Sequence, residues 1–232
     1  MGKTLIQQKR GKSPRYRVPS RVSRIQTRHP KTKEKILGEV VDIVHVPGRV
    51  APVAFVMSKN KKIPIIASEG MFVGQKISLN AEEKENITNG SLIAVGNVPE
   101  GTKIYNIELN PGDGGKLCRS AGNFAVVVSH EGEKTVLRLP SRQMKKISAK
   151  CRANIGIVAG GGVKEKPFMK AGNKFYAYKV RNKLYPKVSA SAMNAVDHPF
   201  GGSNLGRSKT VSKNAPPGQK VGIVSPRRTG KK

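Results

Sequence analysis

The chain has 232 residues, with 44 lysines and arginines against 14 acidic residues, and its formal net charge is +30 at neutral pH. Such a chain repels itself when free, so a polyanion is its natural partner. No apolar run is long enough for a membrane span, the N-terminus lacks a signal-peptide pattern, and two distant cysteines with four scattered histidines show no zinc-ligand spacing. We therefore expect a protein of the reducing cytosol that does not associate with membranes.

Residues 1–35 are predicted to form a basic N-terminal extension. They hold 12 basic residues and one acidic residue, and glycine and prolines interrupt them at Gly11, Pro14, Pro19 and Pro30. Such a segment buries too little apolar surface to offset the conformational entropy that folding removes. We expect it to be flexible in the free protein and to become ordered against a nucleic acid.

The interior is predicted to form short strands that turn sequences separate. Nine segments are rich in β-branched residues, often at alternating positions: 36–46, 52–58, 62–68, 75–80, 91–98, 103–109, 124–130, 134–141 and 153–159. Because they are closely spaced without long intervening helices, they favour small antiparallel barrels. Residues 170–183 predict a helix with Phe175, Tyr178 and Val180 toward the core.

The charge of the interior changes along the chain. Residues 36–110 carry 7 basic and 8 acidic side chains, whereas residues 111–185 carry 16 and 4. Just after this step lies the segment PGDGGK at 111–116, which departs from the Walker pattern at Asn110 and Leu117. It is either a plain turn between strands or a contact in which glycine amides and a lysine meet an RNA phosphate.

Residues 186–232 are predicted to form a second basic extension, with nine basic residues and one acid. This extension contains the stretch MNAVDHPFGGSNLGR at 193–207, whose adjacent Asp197 and His198 raise the question of catalysis. A hydrolase also needs a nucleophile placed by the fold, and adjacent side chains generally point apart. Nearby serines lack a nucleophile-elbow sequence. The glycines and Arg207 instead favour a loop whose backbone approaches phosphates, with Asp197 orienting His198 or a bound cation.

Five segments, in this order, resemble the ribosomal protein L2 family of the large subunit. They are LCRSAG (117–122), TVLRLPSRQMKKI (135–147), CRANIG (151–156), KAG (170–172) and MNAVDHPFGG (193–202), and the turn HVPGRVAP (45–52) matches more loosely. The family's histidine maps onto His198. Ala195 stands where the family has proline, and Phe200 stands where it has a second histidine. We therefore expect a less rigid entry to the loop and a Phe200 that packs or stacks on an unpaired base.

The resemblance implies a mainly β fold of two small barrels between extended basic arms. An oligonucleotide-binding-type barrel is expected over 36–83 and an SH3-like barrel with a short helical segment over 84–185, with arms at 1–35 and 186–232. It also implies a structural constituent of the large ribosomal subunit, bound to ribosomal RNA and other ribosomal proteins in the cytoplasm. The family supports subunit association, tRNA binding and the peptidyl transferase region, where the RNA carries the chemistry. No cofactor is implied, apart from Mg²⁺ held by the RNA nearby.

The predicted RNA-binding residues are basic side chains together with polar and glycine positions of the 193–207 stretch: Arg15, Arg17, Lys116, Arg119, Lys146, Arg152, Lys170, Met193, Asn194, Asp197, His198, Gly201, Gly202, Arg207, Lys209, Arg227 and Arg228. Two other functions stay open. A DNA-compacting basic protein would bind any duplex with similar affinity, whereas an RNA-modifying enzyme would turn over a substrate without a ribosome.

Overall fold

A computed structural model describes residues 3–6, 9, 11, 13–17, 25–31, 35–58, 61–81, 88–198, 200–203 and 214. The chain divides into two compact units. The β unit comprises Arg21–Pro167, and the terminal unit combines Met1–Ser20 with Phe168–Lys232. Within the described part of the chain, no helix has the length and apolar character needed to cross a membrane.

The β unit contains one ten-stranded sheet. Its strands are β1 (Ile36–Val44), β2 (Val53–Ser58), β3 (Lys61–Ile66), β4 (Lys76–Ala81), β5 (Leu92–Ala94), β6 (Lys103–Tyr105), β7 (Ala125–Glu131), β8 (Lys134–Arg138), β9 (Met144–Ser148) and β10 (Arg152–Ile155). Their order across the sheet is β3-β2-β1-β4-β5-β10-β6-β7-β8-β9. Neighbours are antiparallel except β4 and β5, which are parallel.

Two main apolar clusters form the core of this unit, and β5 contributes to both. One cluster comes mainly from β1 to β5: Val40, Ala54, Val56, Ile65, Ala67, Ile77, Leu79 and Leu92. The other comes mainly from β5 to β10: Ile93, Val95, Val98, Ile104, Ile107, Ala125, Val127, Leu137, Ile147, Cys151, Ala153 and Ile155. Leu92 and Ile93 join different clusters because successive side chains of a strand point to opposite faces.

The mainly β fold is confirmed, and each of the nine predicted segments contains a strand. The sequence missed β9, which pairs with β8 through Thr135 and Ile147. It was missed because Lys145 and Lys146 are exposed and Ile147 is the only buried side chain of the strand. The segment 91–98 is strand only over Leu92–Ala94, after which a 3-10 turn follows.

The charge step near residue 110 does not mark a boundary in the fold. Strands β5 and β6 precede it, yet their side chains share a core with β7 to β10. The boundary expected between residues 83 and 84 lies outside the described residues. In the terminal unit the predicted helix is present as α1 (Ala171–Val180), but it buries no side chain.

The prediction that Phe175 and Val180 face a core is wrong, since both are exposed. The aromatic side of the helix instead packs locally. The Tyr178 ring lies 5.5 Å from the Tyr185 ring, and the Lys174 ammonium lies 5.1 Å from the Tyr185 ring centroid.

Candidate nucleic-acid interface

Residues 25–31 pack into the β unit. Thr27 and His29 are buried, and the His29 Nε2 atom lies 2.7 Å from the Asn106 carbonyl oxygen. Burial lowers the pKa of His29 to about 4. The ring is therefore neutral at pH 7, and its Nε2–H donates the hydrogen bond to the Asn106 carbonyl oxygen. Residues 25–31, which lie within the expected basic extension 1–35, therefore belong to the β unit.

Two arginines, Arg49 and Arg119, meet at Thr27, and the exposed Arg28 follows Thr27 in the chain; we call Arg28, Arg49 and Arg119 the arginine cluster. The Thr27 hydroxyl accepts hydrogen bonds from Arg49 Nη1 at 2.7 Å and from Arg119 Nη2 at 2.8 Å. The same Nη2 donates to the Thr27 carbonyl oxygen at 2.7 Å. Arg119 was a predicted RNA-binding residue, whereas Thr27, Arg28 and Arg49 were not identified from the sequence.

Arg49 and Arg119 carry their positive charges in a partly buried place, whereas Arg28 is exposed. Burial lowers the pKa of Arg119, and the charges of Arg49 and Arg28 lower it further, although a guanidinium stays protonated in proteins. The Arg119 Nε atom is buried without a hydrogen-bond partner among the described residues. The cluster therefore holds positive charge without a carboxylate partner among the described residues.

The glycine-rich loop at 111–116 does hold an anion, but that anion is a carboxylate of the chain itself. Glu108 is fully buried, and its two oxygens accept the Gly112 and Gly114 N–H groups, each at 3.2 Å. Of the two alternatives for this loop, a contact with an RNA phosphate is therefore not available to the Gly112 and Gly114 N–H groups, which Glu108 holds. Lys116 is exposed beside the loop and lies 3.4 Å from the Asp113 carboxylate.

Arg152 neutralises Glu108. Its Nη2 lies 2.9 Å from the Glu108 carboxylate, with the arginine side chain 13% exposed and the glutamate side chain 0% exposed. Its Nη1 donates to the Pro30 carbonyl oxygen at 2.9 Å and to the Asn80 amide oxygen at 3.0 Å. The predicted RNA contact at Arg152 is thus corrected to an internal role, because its guanidinium is satisfied by protein acceptors.

Burial by itself raises the pKa of Glu108. Hydrogen bonds from the Arg152 side chain, the Arg152 N–H and the Gly112 N–H outweigh this effect, and they hold the pKa of Glu108 below its ordinary value. The carboxylate is therefore ionised at neutral pH and acts as an internal counterion.

The loop of residues 193–203, in the terminal unit, folds back on itself. The Gly202 N–H donates to the Met193 carbonyl oxygen at 3.2 Å, and the Gly201 N–H donates to the His198 carbonyl oxygen at 2.9 Å. A Cβ at Gly201 would meet the Met193 carbonyl oxygen and would lie 2.6 Å from the Asn194 carbonyl oxygen. Glycine at position 201 is thus required by the loop's own backbone, where the sequence suggested an approaching phosphate.

Asp197 and His198 form no catalytic pair. The Asp197 carboxylate lies 3.1 Å from the Lys3 ammonium, whereas His198 Nδ1 accepts the Phe200 N–H at 3.0 Å. An Nδ1 that accepts a hydrogen bond leaves the ring proton of a neutral histidine on Nε2. The expectation that Asp197 orients His198 is therefore replaced by an ion pair with Lys3.

Phe200 packs on His198, which is one of the two roles expected for it. The two rings meet edge to face with their centroids 5.0 Å apart.

Beside this loop lies a cavity of about 680 Å³. It is lined by the lysines Lys3, Lys9 and Lys187, by apolar side chains such as Leu5 and Leu184, and by Asp197 and His198. The loop thus exposes a mixed cationic and apolar surface.

The other predicted residues are placed as follows. Arg17, Lys146 and Lys170 are exposed, and Lys146 lies 2.7 Å from the Glu131 carboxylate. The Arg15 side chain, Arg207, Lys209, Arg227 and Arg228 lie outside the described residues. In the described part of the chain, histidine, cysteine and acidic side chains form no group of three or more that suits a metal ion.

Comparisons with known proteins cover the whole chain. The model of the family "Ribosomal Proteins L2, C-terminal domain" matches residues 88–221. The chain is 48% identical to the large ribosomal subunit protein uL2 of Saccharolobus islandicus, over 100% of this chain and 99% of the relative. It is also 47% identical to the protein of that name from Methanococcoides burtonii, over 100% of both, and 46% identical to that from Sulfurisphaera tokodaii.

Proposed function

Because the chain belongs to the ribosomal protein L2 family, we propose that it is a structural constituent of the large ribosomal subunit that binds ribosomal RNA and catalyses no reaction itself. The observation that carries this proposal is the identity to archaeal relatives, 48% over the full length of the chain. Similarity of this extent leaves no large segment of the chain for an unrelated activity.

The geometry supports a binding role over a catalytic one. The side chains that first suggested catalysis, Asp197 and His198, bond to Lys3 and to the Phe200 backbone instead of to each other. The chain also carries a net charge of +30, and its arginine cluster forms no ion pair with a carboxylate of the described residues. RNA phosphates supply the missing negative charge.

The finer assignments belong to the same proposal. Two apolar clusters that share β5 support an arrangement of an oligonucleotide-binding-type barrel followed by an SH3-like barrel. The loop at 193–203 approaches RNA near the peptidyl transferase region, and the protein assists subunit association and tRNA binding in the cytoplasmic ribosome. Other ribosomal proteins are its remaining partners, and any Mg²⁺ nearby is held by the RNA.

Competition binding separates this function from a DNA-compacting role. The full-length protein is bound to labelled, deproteinised large-subunit ribosomal RNA and challenged with unlabelled duplex DNA or unlabelled ribosomal RNA at equal phosphate concentration. We expect ribosomal RNA to compete much better than the duplex. Equal competition would contradict the proposal, because binding would then reflect phosphate charge alone.

A further inference from the structure

The arginine cluster of the β unit has no ligand that the proposed function specifies. We propose that Arg28, Arg49 and Arg119 together bind one phosphodiester group of RNA, in a site that Thr27 positions. This inference rests on the proposed function, since it names the chemical group that one part of the protein recognises.

Thr27 fixes the geometry of the site. Its buried hydroxyl accepts one hydrogen bond from Arg49 at 2.7 Å and one from Arg119 at 2.8 Å, so the two guanidinium groups meet at a single oxygen atom. Each guanidinium is a planar fork with five N–H donors. Donors not used on Thr27 therefore stay close together, in an arrangement that suits the paired oxygens of a phosphate.

Arg28 follows Thr27 in the chain, and its side chain is exposed. Its side chain lies along the glycine loop, with its Cβ 3.3 Å from the position that a Cβ at Gly114 would occupy. Its charge acts on Arg119 together with that of Arg49. A glycine at this position lets the arginine chain lie close to the loop backbone.

The cluster differs from Arg152, a partly buried arginine of the same unit. Arg152 is neutralised by Glu108 within the protein, whereas the ion pairs recorded among the described residues involve none of the three arginines of the cluster. Like charges that converge without a carboxylate are stabilised by an anion from outside, and RNA carries that anion in every phosphate.

The number of phosphates that the cluster neutralises can be measured from the salt dependence of RNA affinity. Binding of the full-length protein to deproteinised large-subunit ribosomal RNA is measured over a salt series, and the slope of log affinity against log salt is compared between variants. One phosphate contributes about 0.7 to 0.9 to this slope. We expect the triple variant Arg28→Gln/Arg49→Gln/Arg119→Gln to lose about that amount. Three separate phosphates would remove about 2 to 3 units, and an unchanged slope would show that the cluster does not contact RNA; either outcome overturns the proposal.

Single variants test the site with less risk to folding than the triple variant. Arg28→Gln and Arg49→Gln leave the Arg119 contact to Thr27 in place, and Arg138→Gln on β8 is the matched control because it removes one exposed positive charge from the same unit. We expect Arg49→Gln to weaken binding roughly tenfold, as for the loss of a charged hydrogen bond, and the control to weaken it less than about twofold. Equal losses in Arg49→Gln and Arg138→Gln would contradict a dedicated site.

A measurement without RNA separates this inference from the proposed function. Sulfate, which like a phosphodiester is a tetrahedral oxyanion, should raise the thermal unfolding midpoint of the wild-type protein more than chloride at equal ionic strength. We expect this additional protection to be smaller in Arg49→Gln and unchanged in Arg138→Gln. Protection confined to the wild type and Arg138→Gln would support the anion site even if ribosomal RNA failed to outcompete duplex DNA. Equal protection of all three proteins would overturn the site.

Discussion

The carboxylate of Glu108 and the guanidinium of Arg152 form a 2.9 Å ion pair inside the β unit. The pair joins parts of the chain that are distant in sequence, because Arg152 also bonds to Pro30 and Asn80. Glu108 in turn holds the Gly112 and Gly114 N–H groups. The ion pair thus fixes the glycine loop against which the Arg28 side chain lies.

Removing one partner of this pair should destabilise the protein strongly. We expect Glu108→Ala to lower the free energy of unfolding by about 3 to 5 kcal/mol, because it leaves the Arg152 charge buried without its counterion. Glu131→Ala is the matched control, since Glu131 forms an exposed pair with Lys146 and its loss should cost less than about 1 kcal/mol. Urea unfolding of the two variants measures the difference, and similar costs would mean that the buried pair contributes little.

The stability of the β unit should fall as the pH drops below 6.5 because of His29. Its pKa is about 4 in the folded protein and about 6.5 when unfolded. Protons therefore bind preferentially to the unfolded chain, and the stabilisation present above pH 6.5 is lost as the pH falls toward 4. We expect a loss of about 2 kcal/mol between pH 7 and pH 5. Urea unfolding at several pH values measures this loss.

A His29→Gln variant is the control for the pH dependence. Glutamine retains a hydrogen-bond donor for the Asn106 carbonyl but does not titrate in this range. The variant should be less stable at pH 7 and should show a flatter dependence of unfolding free energy on pH. Parallel pH profiles for the two proteins would exclude His29 as the responsible group.

The sequence predicted the strands better than the contacts between distant segments. Alternating β-branched residues mark β1 and β7, whereas β9 is hidden by its exposed lysines. The packing of His29 against Asn106 was not foreseen because 77 positions separate the two residues, and local patterns carry no information about such a contact. A lone acid at Glu108 in an apolar strand segment was the one available signal for a buried ion pair.

For the loop at 193–203, the sequence indicated a close backbone approach at Gly201, and the structure shows one to the loop's own carbonyl oxygens. Gly201→Ala should open the loop, since the new Cβ would meet the Met193 and Asn194 carbonyl oxygens. The intact variant is labelled by hydrogen–deuterium exchange and then digested. The peptide that spans residues 193–203 should take up deuterium faster than in the wild type, because the Gly202 N–H is no longer protected. Gly172→Ala in α1 is the control, because a Cβ there meets open space; equal exchange in both variants would contradict the steric account.

His198 variants distinguish a structural role from a chemical one. Nδ1 of His198 accepts the Phe200 N–H, and a glutamine side chain can supply an acceptor oxygen, whereas alanine cannot. We expect subunits reconstituted with His198→Gln to keep most of their peptide-bond formation and those with His198→Ala to lose more, after normalisation to the protein incorporated. Fully assembled subunits that were equally inactive with either variant would indicate general base catalysis.

Sedimentation of a cell lysate tests the central claim most directly. The tagged full-length chain is expressed in an archaeal host, and the lysate is separated on a sucrose gradient under salt conditions that keep the two ribosomal subunits apart. We predict that the protein migrates with the large subunit, and that ribonuclease treatment before centrifugation releases it. Protein that remained at the top of the gradient, or that followed chromosomal DNA, would contradict a role as a structural constituent of the large subunit.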